Sequence, residues 1–140
     1  MGDVTPNNTP RPIVILGPTA GGKSDLAIEL ALALRGPHGE PGEVLSADSM
    51  QIYKHMDAGT AKPSPQQRAT VAHHLIDQIE PTQRFTVADW LTQADALIES
   101  RIARGVWPVV VGGTNLYIQS LLEGMFDGPG MDEEIGRAHV

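Results

Sequence analysis

Three clusters of residues carry the side chains and backbone types that could do chemistry together. The first is Gly17-Pro18-Thr19-Ala20-Gly21-Gly22-Lys23-Ser24, a full match to G-x-x-x-x-G-K-[ST]. Its glycines let the backbone curl so that several N–H groups converge on one phosphate, and a helix starting there adds its positive end. Lys23 supplies a mobile charge, and the Ser24 hydroxyl suits a magnesium ion. The pattern points to phosphate or pyrophosphate binding without naming a reaction. The second cluster opens with Asp48, in Asp48-Ser49-Met50-Gln51-Ile52-Tyr53. An acid there has three possible roles: a structural cap, a magnesium partner or a general base. The third is Gly112-Gly113-Thr114-Asn115-Leu116-Tyr117, a glycine turn in which Thr114 is either a helix cap or something more.

The elements that must position these groups follow from periodicity. Ile13 to Leu16 is a short apolar, β-branched run that suits a buried strand and leads straight into the first glycine turn. Leu26, Ala27, Leu30, Ala31 and Leu34 then recur at helical spacing until Arg35-Gly36-Pro37 stops them, and Gly36 to Gly42 reads as a loop. Glu43 to Ala47 is a second strand that delivers Asp48 at its carboxyl end, the edge where open α/β sheets bind ligands. Lys54 to Pro65 reads as a surface loop, Gln66 to Ala72 as a short helix and His73 to Asp77 as a third strand. The two histidines point to opposite faces of such a strand and cannot easily share a metal ion; one buried and hydrogen-bonded and one exposed is the expectation. Val87, Trp90, Leu91, Ala94, Leu97, Ile98 and Ile102 form the apolar stripe of a long helix from about Thr86 to Arg104. Thr86 with Asp89 is its N-terminal signature, Gly105 its stop, and core packing its role. Pro108 to Val111 is a fourth strand, and the helix after Thr114 gives way at Gly124. Strands alternating with helices predict an α/β parallel sheet with helices on both faces, of the P-loop NTPase-like kind.

Bulk properties bound the function. The chain has 140 residues, 41% of them hydrophobic, enough for one domain with a core. It has no cysteine, which removes disulfides and Cys-based zinc sites and fits a reducing cytosol. No run of eighteen apolar residues occurs, and Met1 to Pro12 is polar and proline-rich, so neither a membrane span nor a signal peptide is expected. A formal charge of −7, with scattered Lys and Arg, argues against this chain alone gripping nucleic acid.

Taken in this order, the segments Gly17–Ser24, Asp48–Tyr53 and Gly112–Tyr117 resemble the tRNA dimethylallyltransferase family. The stretches Gly59-Thr60-Ala61-Lys62-Pro63 and His73-His74-Leu75-Ile76-Asp77 are similar to it as well, so that the likeness runs from Pro12 to about Asp132. The resemblance implies transfer of a dimethylallyl group from dimethylallyl diphosphate to N6 of the adenosine 3′ of the anticodon in tRNA. It implies a diphosphate cradle of Gly17, Pro18, Thr19, Ala20, Gly21, Gly22, Lys23 and Ser24, with Mg2+ on Ser24. Asp48 aligns with the family's general base, and Lys23 and Thr19 join it as catalytic residues. Asp48, Ser49, Met50, Gln51 and Thr114 match positions that meet the tRNA. A cytoplasmic, non-membrane enzyme, monomeric at full length, is what the likeness implies.

Two small departures, Gly21 where the family usually has Ser and Ser24 where it often has Thr, keep the backbone cradle and the hydroxyl. Length is the larger one, since family members continue into a helical tRNA-binding insertion and a further stretch of core that brings a diphosphate-holding arginine. The expected organisation is a flexible tail over 1–11, a partial core over 12–126 and the start of that insertion over 127–134. Ile135-Gly136-Arg137-Ala138-His139-Val140 is what ATCGGAAGAGCACACGTC encodes, a string resembling a sequencing-library adapter, and is set aside from fold reasoning. The resulting expectation is an incomplete, inactive and marginally stable fragment with an uncovered sheet edge. Three rival readings stand beside it. They are an ATP-using P-loop kinase of small molecules or nucleotides, an adenylate isopentenyltransferase, and a non-catalytic binding fragment.

Overall fold

The computed structural model describes residues 9–17, 22–57 and 61–126. Residues 1–8 (most of the expected tail), Pro18 to Gly21, Ala58 to Thr60 and everything after Phe126 therefore lie outside the described residues, and so do the expectations placed on them.

Among the described residues four strands and four helices alternate: β1 (Ile13–Leu16), α1 (Lys23–Ala33), β2 (Glu43–Ser46), α2 (Pro65–Thr70), β3 (His73–His74), α3 (Val87–Ala103), β4 (Pro108–Gly112) and α4 (Asn115–Phe126). The strands form one parallel sheet in the order β1-β4-β2-β3. β4 lies between β1 and β2, in register Val14↔Val110 and Leu45↔Val110. Alternation along each strand then sorts the side chains. Val44 and Val109 face α1, where Ala27, Ile28 and Ala31 cover them together with Ile13, Ile15 and Val111. Leu45 and Val110 face the other way, onto Trp90, Ala94 and Ile98 of α3 and Ile118 and Leu121 of α4. A sheet buried on both faces needs such continuous apolar strands, which is why they read as unbroken Val, Ile and Leu runs.

Several boundaries differ from expectation for local reasons. α2 starts at Pro65 because Ser64 forms a capping box with Gln67, each side chain bonding the other's backbone. It ends before Val71, whose backbone is extended. The third strand is only His73–His74, since Leu75 (φ 68°) and Asp77 (φ 56°) turn left-handed, a conformation that costs a non-glycine residue of order 1 kcal/mol or more. α4 runs through Gly124 to Phe126 instead of giving way there. Both histidines are half-buried and both are bonded, so the expected split into one buried and one exposed does not hold.

His74 belongs to a cluster at the amino end of the sheet. Glu43 Oε1 accepts from His74 Nε2 at 2.7 Å and from Arg101 Nη1 at 3.1 Å, tying α3 to β2 and β3. Burial pushes the Glu43 carboxyl up, but these two donors and their charge outweigh it and hold its pKa below the ordinary value. A depressed folded pKa gives stability that is present above the unfolded pKa and lost as pH falls through the folded one. Glu43→Gln is therefore expected to cost about 1–3 kcal/mol at pH 7 from lost charge-assisted bonds. The gap from wild type should close as pH falls below about 4. Urea titrations at both pH values check this, and an equal gap at both would contradict it.

Candidate active site

The carboxyl edge of the sheet gathers the three chemistry-bearing segments. Gly17 leaves β1 there, and α1 begins at Lys23 after Gly22, whose φ of 73° is a left-handed turn suited to glycine. The Lys23 ammonium donates to the Gly17 carbonyl at 2.5 Å, so the two ends of the motif meet. Pro18, Thr19, Ala20 and Gly21 lie outside the described residues.

Asp48 follows β2 and organises the turn after it. Its Oδ1 accepts from the Met50 N–H at 2.8 Å and the Gln51 N–H at 3.3 Å, the local turn chemistry that aspartate favours. Its Oδ2 has no hydrogen bond among the described residues. The cap role and a chemical role are thus compatible, one oxygen serving each.

Thr114 fastens this turn to β4 and α4. Its Oγ1 accepts from the Ser49 N–H at 3.0 Å, its N–H donates to the Ala47 carbonyl at 3.3 Å, and its own carbonyl accepts from Tyr117 and Ile118 at the start of α4. Close approach makes this possible: a Cβ on Gly112 would lie 2.2 Å from the Ala47 carbonyl oxygen. Beneath the turn, the Trp90 indole N–H donates to the Ser46 carbonyl at 2.9 Å, and its ring stacks on Tyr117 with centroids 4.8 Å apart. Burial, helped by the negative charges of Asp48 and Asp89 nearby, pushes the Tyr117 phenol up. The long helix thus does more than fill the core.

One pocket joins these groups. Lys23, Ser24, Asp48, Gln51 and Gly113 line it, and Ser46, Ala61, Pro63, His73 and Ile76 complete much of the rest. Met50 is exposed, whereas Ser49, Gln51 and Thr114 are half-buried. Gln51 is engaged internally, accepting from Ser46 Oγ at 2.7 Å and donating through Nε2 to the Ala61 carbonyl at 3.1 Å. His73 Nδ1 pairs with the Val71 carbonyl at 2.9 Å, which makes it the protonated nitrogen. Burial, Arg68 and His74 push the imidazole pKa down, so the ring is neutral at pH 7.

Sequence reasoning missed a second layer behind this pocket. Lys62, expected in a surface loop, is buried, with its side chain only 8% exposed. Burial alone would push its ammonium down and the Asp77 carboxyl up. Their mutual hydrogen bond and attraction, with Asp57 and Arg68 contributing, reverse both directions. The left-handed φ of Asp77 has no signal in sequence, and only the resemblance of residues 59–63 and 73–77 to the family marked the two stretches.

The fold and site define a class: an α/β protein with a parallel sheet and a glycine-turn–helix pocket at its carboxyl edge. The family model for IPP transferase matches residues 51–139. A tRNA dimethylallyltransferase 2 of Syntrophus aciditrophicus is 50% identical over 128 residues, which cover 91% of this chain and 39% of that protein. A tRNA dimethylallyltransferase of Geobacter sulfurreducens is 48% identical over 123 residues, 88% of this chain and 38% of its own length. Among solved structures, a tRNA Δ(2)-isopentenylpyrophosphate transferase from Staphylococcus epidermidis superposes with a TM-score of 0.72 at 42% identity, over 80% of this chain and 34% of the other. A eukaryotic dimethylallyltransferase acting on tRNA gives 0.67 at 33% identity, over 79% and 26%. The chain belongs to the IPP transferase family. It spans about two fifths of the length of the curated relatives it matches. No helix among the described residues is long and apolar enough to cross a membrane.

Proposed function

We propose that this chain carries the diphosphate-binding and proton-accepting part of an enzyme that transfers a dimethylallyl group from dimethylallyl diphosphate to N6 of the adenosine 3′ of the tRNA anticodon. The observation that carries the reading is the pocket in which Lys23 and Ser24 meet Asp48. A phosphate-binding pair beside a carboxylate suits a reaction that expels diphosphate while it deprotonates a nucleophile.

Adenine N6 is a poor nucleophile because its lone pair is delocalised into the ring. Positioning and a base are therefore what the chemistry requires. In the proposed step, N6 forms a bond to C1 of the dimethylallyl group, and the C1–O bond breaks with its electron pair leaving on the diphosphate. Asp48 takes the proton from the amine. Lys23 and the backbone of the Gly17–Ser24 motif, including Thr19, hold the charge that grows on the leaving group. Ser24 and Asp48 offer oxygen donors of the kind Mg2+ prefers, and no group of three or more His, Asp or Glu side chains suited to a metal occurs among the described residues. An ion held largely by the diphosphate itself fits that donor set, and when bound it would neutralise charge on the leaving group.

The target base must leave its stack to reach the pocket. Ser49, Met50, Gln51 and Thr114 border the entrance we assign to it. With a net charge of −7, this chain needs basic surface from the part of the family's length that it does not span. We place the protein in the cytoplasm, as a monomer at full length.

The test uses the complete reading frame that carries this sequence, with Mg2+, labelled dimethylallyl diphosphate and unmodified tRNA that has adenosine after the anticodon. Label in tRNA, on N6 of that adenosine, is the expected result. No label, but phosphoryl transfer from ATP to a small acceptor, would overturn the reading in favour of a kinase on the same scaffold.

A further inference from the structure

Ala61 to Ser64 have no regular secondary structure, yet Ala61 and Pro63 form part of the pocket wall opposite the strands. This strap is fastened from behind. The Lys62 ammonium donates to the Tyr53 carbonyl at 2.7 Å, to Asp57 Oδ1 at 2.7 Å and to Asp77 Oδ1 at 2.5 Å. An ammonium has three N–H donors, and all three are spent on protein oxygens, so Lys62 is not a free cation for phosphate. Asp77 is held in turn, its Oδ2 accepting from Arg68 Nη1 at 2.7 Å and its N–H donating to the Gln51 carbonyl at 2.9 Å. A second fastening comes from the pocket side, where Gln51 Nε2 donates to the Ala61 carbonyl. Ala61 sits at φ 55°, so the strap is held in a backbone conformation it would leave if released.

The reaction proposed above has a use for such a wall, and the inference rests on that reading. An allylic diphosphate ionises readily because positive charge spreads over C1 and C3, and any water in reach competes with the adenine amine. In that side reaction the C1–O bond breaks with its electron pair on the diphosphate, the water oxygen bonds to C1, and a water proton is released to solvent. The products are dimethylallyl alcohol and diphosphate. Val44, Ile76, Val111, Ala61 and Pro63 make the apolar part of the pocket, and the last two stay in place only while the strap is fastened. We propose that the Lys62–Asp77 latch holds residues 61–64 as a water-excluding wall, and so sets the partition between transfer and hydrolysis. Lys62 is then a positioning residue that never touches substrate.

The test compares the complete reading frame with its Lys62→Met variant, which keeps the length of the stem and removes the charge. Prenylated tRNA and dimethylallyl alcohol are measured in the same reaction, and amide exchange is followed at Ala61, Lys62, Ser64 and Asp77. The ratio of alcohol to prenylated tRNA is expected to rise about tenfold or more in Lys62→Met, because an opened site admits water. Amide exchange in the strap should quicken with it. Asp57→Asn keeps an acceptor oxygen for Lys62 but removes the negative charge that strengthens one of its bonds, from a side chain that is 75% exposed, and should shift the ratio in the same direction by less. A Lys62→Met protein that transfers with the wild-type ratio overturns the latch. So does an Asp57→Asn protein with an unchanged ratio if Lys62→Met fails to fold. A wild-type enzyme that neither transfers nor hydrolyses would instead sink the prenyl-transfer reading. The latch would then be decided by amide exchange alone, and unaltered exchange in the Asp57→Asn strap would overturn it.

Discussion

Asp48→Asn is expected to lower prenyl transfer by about 10²–10⁴-fold, the range for loss of a positioned general base. Asparagine keeps an Oδ1 acceptor for the Met50 and Gln51 amides, so the turn that carries Ser49 and Gln51 should survive. What it loses is the second oxygen's ability to take a proton. The fall should therefore appear in kcat, with the KM for dimethylallyl diphosphate little changed, because Lys23 and the Gly17–Ser24 backbone are untouched. Asp48→Ala loses the turn acceptor as well. It should show a similar fall in kcat plus about 1 kcal/mol of lost stability from the missing local cap. Steady-state kinetics on both variants, with thermal melts alongside, separate the two roles. Full activity in Asp48→Asn would remove Asp48 from the proton transfer.

Trp90→Ala is expected to have the largest effect on stability, about 3–5 kcal/mol, by opening a cavity where a fully buried indole sits against Tyr117. Against a total stability of about 5–15 kcal/mol for a typical domain, that is enough to leave much of the protein unfolded under mild stress. β1 adds to the vulnerability. It has one sheet neighbour among the described residues, and Leu16 at its end is 52% exposed. An unpaired edge with apolar side chains invites association once the core loosens. Trp90→Phe keeps one aromatic ring in the core but removes the indole N–H bond to Ser46 together with part of the indole volume. Its expected cost is about 1–3 kcal/mol for a buried acceptor left unpaired. Because Ser46 stands two residues before Asp48, this variant should also depress transfer more than Gly124→Ala, at an open helical position, does. Urea denaturation followed by circular dichroism gives the stabilities, and a loss under 1 kcal/mol in Trp90→Ala would refute the packing argument.

The local part of this architecture was legible in the sequence because short-range sterics and periodicity write it there. The strand Ile13–Leu16, the helix Lys23–Ala33, the Thr86–Asp89 capping box at 3.1 and 2.9 Å and the Val-rich β4 all stand where their patterns put them. The alternation of strands and helices made the sheet parallel before any pairing was known. The sequence also placed Asp48 at the carboxyl end of a strand, and with it the edge of the sheet where the pocket lies.

The tertiary structure decided everything that depends on residues distant in the chain. The order β1-β4-β2-β3, the bond from Ser49 to Thr114 across 65 residues and that from Trp90 to Ser46 across 44 leave no local trace. Periodicity gives Trp90 a face but not a carbonyl to hold, and Lys62, with Pro63 and Pro65 close behind it, reads as surface until Asp77 arrives beside it. Two half-buried histidines, each with its own acceptor, and a strand cut short by the left-handed Leu75 and Asp77 follow from the same cause. A long-range contact is chosen by which surfaces meet when the sheet closes. The sequence by itself therefore determined the elements and the groups fit for chemistry, while folding decided which of those groups face the pocket and which ones hold the others in place.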